Sequence, residues 1–351
     1  MSNILFSLSD VLNLDEKIVW PDNISEEEIV GGIILNRLVG IAYNKIPFEK
    51  LNKENKKILT VLKLYYEEQY DKFIYKLQYV SNLLKNADFN YSLLKGAFLT
   101  PALYKRGQRI SNDIDILVNA QDLTKIQKIF LDAGFVQGHC DEGGRIIPAS
   151  RREIVHSRLN HGETIPFLRY FNNDLVEVDL NFSLDFKAED STHNISVMLN
   201  DSIEYELSNV TIRTLALSDF LIHLCCHLFK EATTYDWLIN RRDLMLYKFC
   251  DIYLFVHRFA GVEFFEKLIQ GIYVHGVQRE CYYALVHCSE IYPNMLSISG
   301  YVDMLNSIKP TSIEYLSEIV HPIEKKIYKY NISFIDWFEC PNRLAQLREK
   351  I

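Results

Sequence analysis

The chain has no apolar run approaching the roughly 18–20 residues that cross a bilayer, so membrane-spanning helices are excluded. It has no excess of positive charge: 38 Lys and Arg stand against 46 Asp and Glu, a formal net charge of −8. A protein that grips nucleic acid by neutralising phosphates carries a basic surface, so broad DNA or RNA binding is not expected. A local basic groove stays open, around Lys105, Arg106, Arg109, Arg145, Arg151 and Arg152. The seven cysteines show no C-x-x-C spacing, which argues against a secreted disulfide framework. The first residues, MSNILFSLSDVLNLDEK, lack a basic leader and a long apolar core, and a cytoplasmic location is the expectation. There is no internal repeat, no low-complexity tract and no Pro/Gly/Ser-rich linker.

What is present is material for a core. Hydrophobic residues make up 48%, and 21 Tyr and 20 Phe supply large side chains. At 351 residues, two packed units are expected. Residues 1–88 read as an N-terminal helical segment. Ser25 before Glu26-Glu27-Glu28 suits a helix start, and Leu62, Tyr66, Phe73, Leu77, Val80 and Leu84 recur at helical spacing. Residues 89–212 switch period. Strands are expected at 89–94, 113–118, 135–137, 153–160, 165–171 and 175–184, with an amphipathic helix over 121–133 ended by Gly134. Residues 213–351 return to helical spacing, with helices at 216–230, 237–259, 264–273 and 281–291 and breaks near Pro293, Pro310 and Pro322. The fold class is α+β: a small mixed sheet flanked by N-terminal helices and a C-terminal helical domain.

The chemistry concentrates at Asp113-Ile114-Asp115. On a strand, residues i and i+2 share a face about 6.6 Å apart. Two carboxylates so placed repel one another unless a positive group lies between them, and a divalent cation meets that need. Magnesium, with manganese as a substitute, takes oxygen ligands and is commonly held by one or two carboxylates plus substrate phosphates. Upstream, Lys95-Gly96 follows an apolar strand and opens a helix, where free N–H groups and the helix dipole favour phosphate. Arg109, four residues before Asp113, is within reach of a phosphate held there. His223 and His227 are spaced i, i+4, but without an H-E-x-x-H glutamate or a second cysteine pair they do not make a zinc motif. The Asp141-Glu142-Gly143-Gly144-Arg145 run reads as a surface turn, or else as a mobile lid.

The run Leu94-Lys95-Gly96-Ala97, then Arg109-Ile110-Ser111-Asn112-Asp113-Ile114-Asp115-Ile116-Leu117-Val118, then Ala133-Gly134-Phe135, resembles the DNA polymerase β-type nucleotidyltransferase superfamily. More narrowly it resembles bacterial nucleotidyltransferase-like families with a K-G…R…D-I-D-I-L-V signature. The likeness covers residues 90–185, with a weaker echo over 214–251. It implies a metal-dependent nucleotidyltransferase that uses ATP or another nucleoside triphosphate and releases pyrophosphate. It implies Asp113 and Asp115 as metal-binding acids and Lys95, Gly96, Arg109 and Ser111 as the nucleotide-binding set. A third carboxylate on a later strand is best met by Asp179, with Glu177 in reserve. Asn181 stands where relatives often have histidine, and His227 and Asp251 fall where a helical-domain histidine and aspartate are usual. The acceptor is left open among a small molecule, a peptide, a protein and a transfer RNA. The alternative is a catalytically inactive module of the same fold that senses a nucleotide or binds a protein.

Overall fold

The computed structural model of the chain describes residues 24–160, 162–184, 195–207 and 210–350, so what was expected of residues 1–23 lies outside it. Short apolar segments build a six-stranded mixed sheet. Its strands are β1 (Tyr91–Leu93), β2 (Ile114–Val118), β3 (Val136–Cys140), β4 (Ile146–Pro148), β5 (Phe167–Phe171) and β6 (Asp174–Asn181), in the order β1-β2-β6-β5-β3-β4. All five residues of β2 are buried, as befits a central strand covered on both faces. β2 and β6 run parallel, and their register sets Ile114 opposite Val178 and Asp115 opposite Asp179. Because side chains alternate, Ile114, Ile116, Val178 and Leu180 share one face, leaving the acids on the other. The helix Leu123–Asp132 buries Ile126 and Phe130, whose ring lies 5.2 Å from Phe135 and 5.9 Å from Phe167. Gly134, at φ +82°, ends that helix in the left-handed conformation a glycine supplies most easily.

Several elements differ from the sequence expectation. Residues 153–160 are not a strand but part of the helix Arg151–Asn160. Ser150 and Glu153 form the reciprocal cap that starts it: Ser150 N donates to Glu153 Oε2 at 2.7 Å, and Glu153 N to Ser150 Oγ at 3.3 Å. Residues 141–145 turn the β3–β4 hairpin, with the Asp141 carboxylate accepting from Gly143 N and Arg145 N at 3.0 and 2.8 Å. A second hairpin, β7 (Ile203–Leu207) with β8 (Val210–Thr214), was not expected as strands and falls at the end of the span 89–212. Thr214 Oγ1 donates to the Leu93 carbonyl at 2.7 Å, tying this hairpin to β1.

Over the described residues the chain forms two compact units. The sheet unit is Glu68–Arg106 with Ile110–His223, and the helical unit is Met1–Glu67, Gly107–Arg109 and Leu224–Ile351. Within the helical unit, Asn36 Oδ1 accepts a buried hydrogen bond from Leu246 N at 2.8 Å, joining residues 210 positions apart. The single helix expected over 237–259 is two, Tyr235–Ile239 and Leu246–Phe259. The break is locked by Lys248, whose Nζ donates to the Arg242 and Asp243 carbonyls at 2.6 and 3.2 Å and pairs with Glu231 at 2.6 Å. The C-terminal stretch, expected to be helical, contains a three-stranded sheet of β9 (Glu318–His321), β10 (Lys326–Lys329) and β11 (Arg348–Glu349).

Candidate active site

The site grows from the β2–β6 pairing. Asp113 lies one residue before β2, Asp115 is its second residue, and Asp179 is held opposite Asp115 by the parallel register. Each of the three offers a carboxylate oxygen, and these oxygens lie within 4.8 Å of one another. Asp115 is 4% exposed. Burial, then the charges of Asp115 and Asp113, push the Asp179 carboxyl up to about 9. Glu177, two residues earlier on the same face, is also raised, first by burial and then by Asp113 and Asp115. It is not one of the three acids whose oxygens converge. Asn181 is buried, with its amide 3.5 Å from Asp115 Oδ1.

One cation reaches this cluster from the turn before the helix Gly96–Leu103. Lys95 Nζ donates to Asp115 Oδ1 at 2.8 Å. Lys95 sits at φ +42°, ψ −117° at the N-cap position, and Gly96 is the buried first residue of the helix. A non-glycine residue held there costs on the order of 1–3 kcal/mol, a strain common at ligand sites. Ser111 shares a hydrogen bond of 2.8 Å with Thr100 on that helix.

Two of the other expected residues belong to the helical unit. Arg109 belongs to the helical unit, where its guanidinium makes a two-pronged pair with Asp251, Nε to Oδ1 and Nη2 to Oδ2, both at 2.9 Å. His227 is in the same unit, with Nε2 3.4 Å from Glu231 Oε2. Of the six cations read as a local basic groove, Arg106 and Arg145 are also matched to carboxylates, Asp71 and Asp141. The Lys95–Asp115 and Arg109–Asp251 pairs were not foreseen. Their members are 20 and 142 residues apart, beyond any local pattern.

The donor set suits a hard divalent cation. It is all oxygen, from three carboxylates, with no thiolate or imidazole among them. The Asp179 carboxyl stays raised with Lys95 beside the acids, and a bound cation would lower it.

Residues 23–293 match the family described as uncharacterised nucleotidyltransferase, and the chain belongs to that family. Among solved structures the chain is similar to an antigenic nucleotidyltransferase-like protein from Paracoccidioides brasiliensis. The identity is 12% and the TM-score 0.39, over 68% of this chain and 93% of that one. No curated protein is close enough in sequence to match.

Proposed function

We propose that the protein transfers a nucleoside monophosphate from a nucleoside triphosphate to an acceptor hydroxyl. The acceptor oxygen bonds to the α-phosphorus, the α–β bridging bond breaks, pyrophosphate leaves, and the hydroxyl proton passes to a carboxylate. The observation that carries this reading is the convergence of the Asp113, Asp115 and Asp179 carboxylates beside Lys95. These three acids would hold magnesium or manganese, which when bound supplies charge and Lewis-acid polarisation to the phosphoryl oxygens. Lys95 and the Gly96 backbone bind the triphosphate tail, with Ser111 at its side, while the next N–H groups, of Ala97 and Phe98, donate to the Leu94 and Lys95 carbonyls. Asp179, opposite Asp115 on the adjacent strand, accepts the hydroxyl proton. Asn181, beside Asp115, orients that acid through its amide. Positioning and charge stabilisation account for most of the acceleration, as is general for phosphoryl transfer.

The test is incubation of the purified protein with magnesium or manganese, each of the four ribonucleoside triphosphates in turn, and cell extract. Pyrophosphate release and mass gains on extract components or on the protein itself are followed. A mass gain names both nucleotide and acceptor, and it should vanish in Asp113→Ala. Absence of pyrophosphate and of any adduct with every triphosphate and both metals would overturn the reading.

A further inference from the structure

A cleft of about 410 Å³ opens within the sheet unit, between the β3–β4 hairpin, the helix Arg151–Asn160 and the segment 163–166 that leads into β5. Hydrogen bonds among these parts frame it. Gly138 N donates to the Pro166 carbonyl at 3.0 Å, Gln137 Nε2 to the Ile165 carbonyl at 3.1 Å, and Ser157 Oγ to the Glu163 carbonyl at 2.9 Å. The cleft is thus held in shape without a ligand, and its volume lies in the range of about 300–1,000 Å³ that small-molecule sites occupy.

The segment 163–166 is the sheet neighbour of the strand that carries Asp179. Thr164 N donates to the Leu180 carbonyl at 2.9 Å, and Glu163 pairs antiparallel with Asn181. Residues opposed in such a pair share a face, so Glu163 stands on the face of Asn181 and Asp179. Neighbouring strands lie about 4.8 Å apart. A molecule in the cleft is one strand away from Asp179.

The lining says what kind of molecule that is. Thr164 is 3% exposed, and its Oγ1 has no hydrogen-bond partner among the described residues. A buried hydroxyl left unmatched is destabilising, and a bound polar group relieves it. Ile165 and Pro166 add apolar surface beside it. The charges are mixed: Arg152 stands against Glu153 and Glu163, with His139 and His156 charged only when protonated. A site for a polyanion, such as an RNA end or a phosphorylated metabolite, needs an excess of cations that this lining lacks.

We infer that the cleft is the acceptor subsite, and that the acceptor is a small, non-phosphorylated hydroxyl compound. One polar group of it bonds to Thr164 Oγ1, and the reacting hydroxyl is presented to Asp179. The bond changes are those of the proposed transfer: the acceptor oxygen joins the α-phosphorus, pyrophosphate departs, and the proton passes to Asp179. The inference rests on that reading and narrows its acceptor to a small molecule.

The test divides cell extract by ultrafiltration into macromolecules and small molecules, and the small molecules by anion exchange into retained and unretained pools. Each pool is offered to the protein with magnesium and a triphosphate. Adducts form from the unretained small molecules. Without triphosphate, that pool slows hydrogen exchange over residues 163–166 and leaves β1 unchanged. Thr164→Val keeps the side chain's shape and removes its hydroxyl. The ligand-free variant melts several degrees higher, because an unmatched polar group is gone. Its kcat/KM for the acceptor falls about tenfold, the value of one hydrogen bond, at unchanged KM for the triphosphate. Adducts on RNA, on protein or on the retained anions would overturn the inference. So would a Thr164→Val protein that melts lower and uses the acceptor as well as wild type, the mark of a hydroxyl matched within the fold. If the wild-type protein forms no adduct with any pool, the proposed function fails, while the exchange experiment still decides whether the cleft binds such a compound.

Discussion

Asp115 and Asp179 stand directly opposite each other on adjacent parallel strands, a register that forces two carboxylates together with Asp113 completing the group. A fold does not retain such a pairing for stability, because the acids repel and one of them is nearly inaccessible to water.

Replacing Asp179 by Asn should therefore separate activity from stability. Turnover should fall at least about a thousandfold, roughly 4 kcal/mol of transition-state stabilisation. The melting temperature in the presence of a chelator should rise, since a neutral amide no longer opposes Asp113 and Asp115. Pyrophosphate release and calorimetric melting of the same sample check both. Turnover within tenfold of wild type would remove Asp179 from the mechanism.

Glu177→Gln distinguishes the two candidates for the third acid. Its carboxyl feels Asp113 and Asp115 but does not converge with them. Its loss should change kcat/KM by less than about tenfold. A loss as deep as that of Asp179→Asn would transfer the role.

Lys95→Met removes the ammonium that Asp115 accepts from at 2.8 Å. Loss of that bond leaves Asp115 Oδ1 with only the longer contact from Asn181, at a cost of about 1–3 kcal/mol. At roughly 2–4 °C per kcal/mol, the metal-free protein should melt several degrees lower. Excess manganese should restore most of that loss by supplying the missing charge, but not the turnover, because the triphosphate has lost a binding group. Differential scanning calorimetry with and without manganese reads the first effect, and steady-state kinetics the second.

Away from the site, Asp219 lies in the first turn of the helix Leu217–Ala232 and is 8% exposed. Burial, then Asp201, raise its carboxyl to about 6. The helix N-terminus favours the charged form, so the burial penalty outweighs that attraction. Its folded-state value exceeds the unfolded one, so its contribution to stability is complete below about pH 4 and lost as pH rises through 6. Asp219→Asn should match wild type near pH 4 and be more stable at pH 8, by at most about 3 kcal/mol. Urea unfolding at the two pH values tests this. A difference that stays constant with pH would mean Asp219 titrates normally.

The acidic core of the site was legible because strand alternation is a local property. Asp113 and Asp115 are two residues apart, and the apolar partners Ile114 and Ile116 announce the opposite face. Lys95-Gly96 was legible as the turn that opens a helix, but the strained backbone at Lys95 was not, since φ +42° at a lysine is imposed by its surroundings. The helix over 151–160 carried its cap in Ser150 and Glu153, but polar residues predominate in it and no apolar stripe marked it out. β9 and β10 are four residues each, separated by a turn holding Pro322, and the proline read as a helix break. The Arg109–Asp251 pair has no local signature at all. It exists because two distant segments meet, and only the folded chain brings them together.

The hydrogen bond from Leu246 N to Asn36 Oδ1 has a consequence for biosynthesis. The amino-terminal helices emerge from the ribosome some two hundred residues ahead of the partner that completes their packing. The sheet unit, whose strands are all translated by residue 214, has its material in hand first. The segment around Asn36 thus matures only after Leu246 has been made, and a chain cut before residue 246 would leave that packing unfinished.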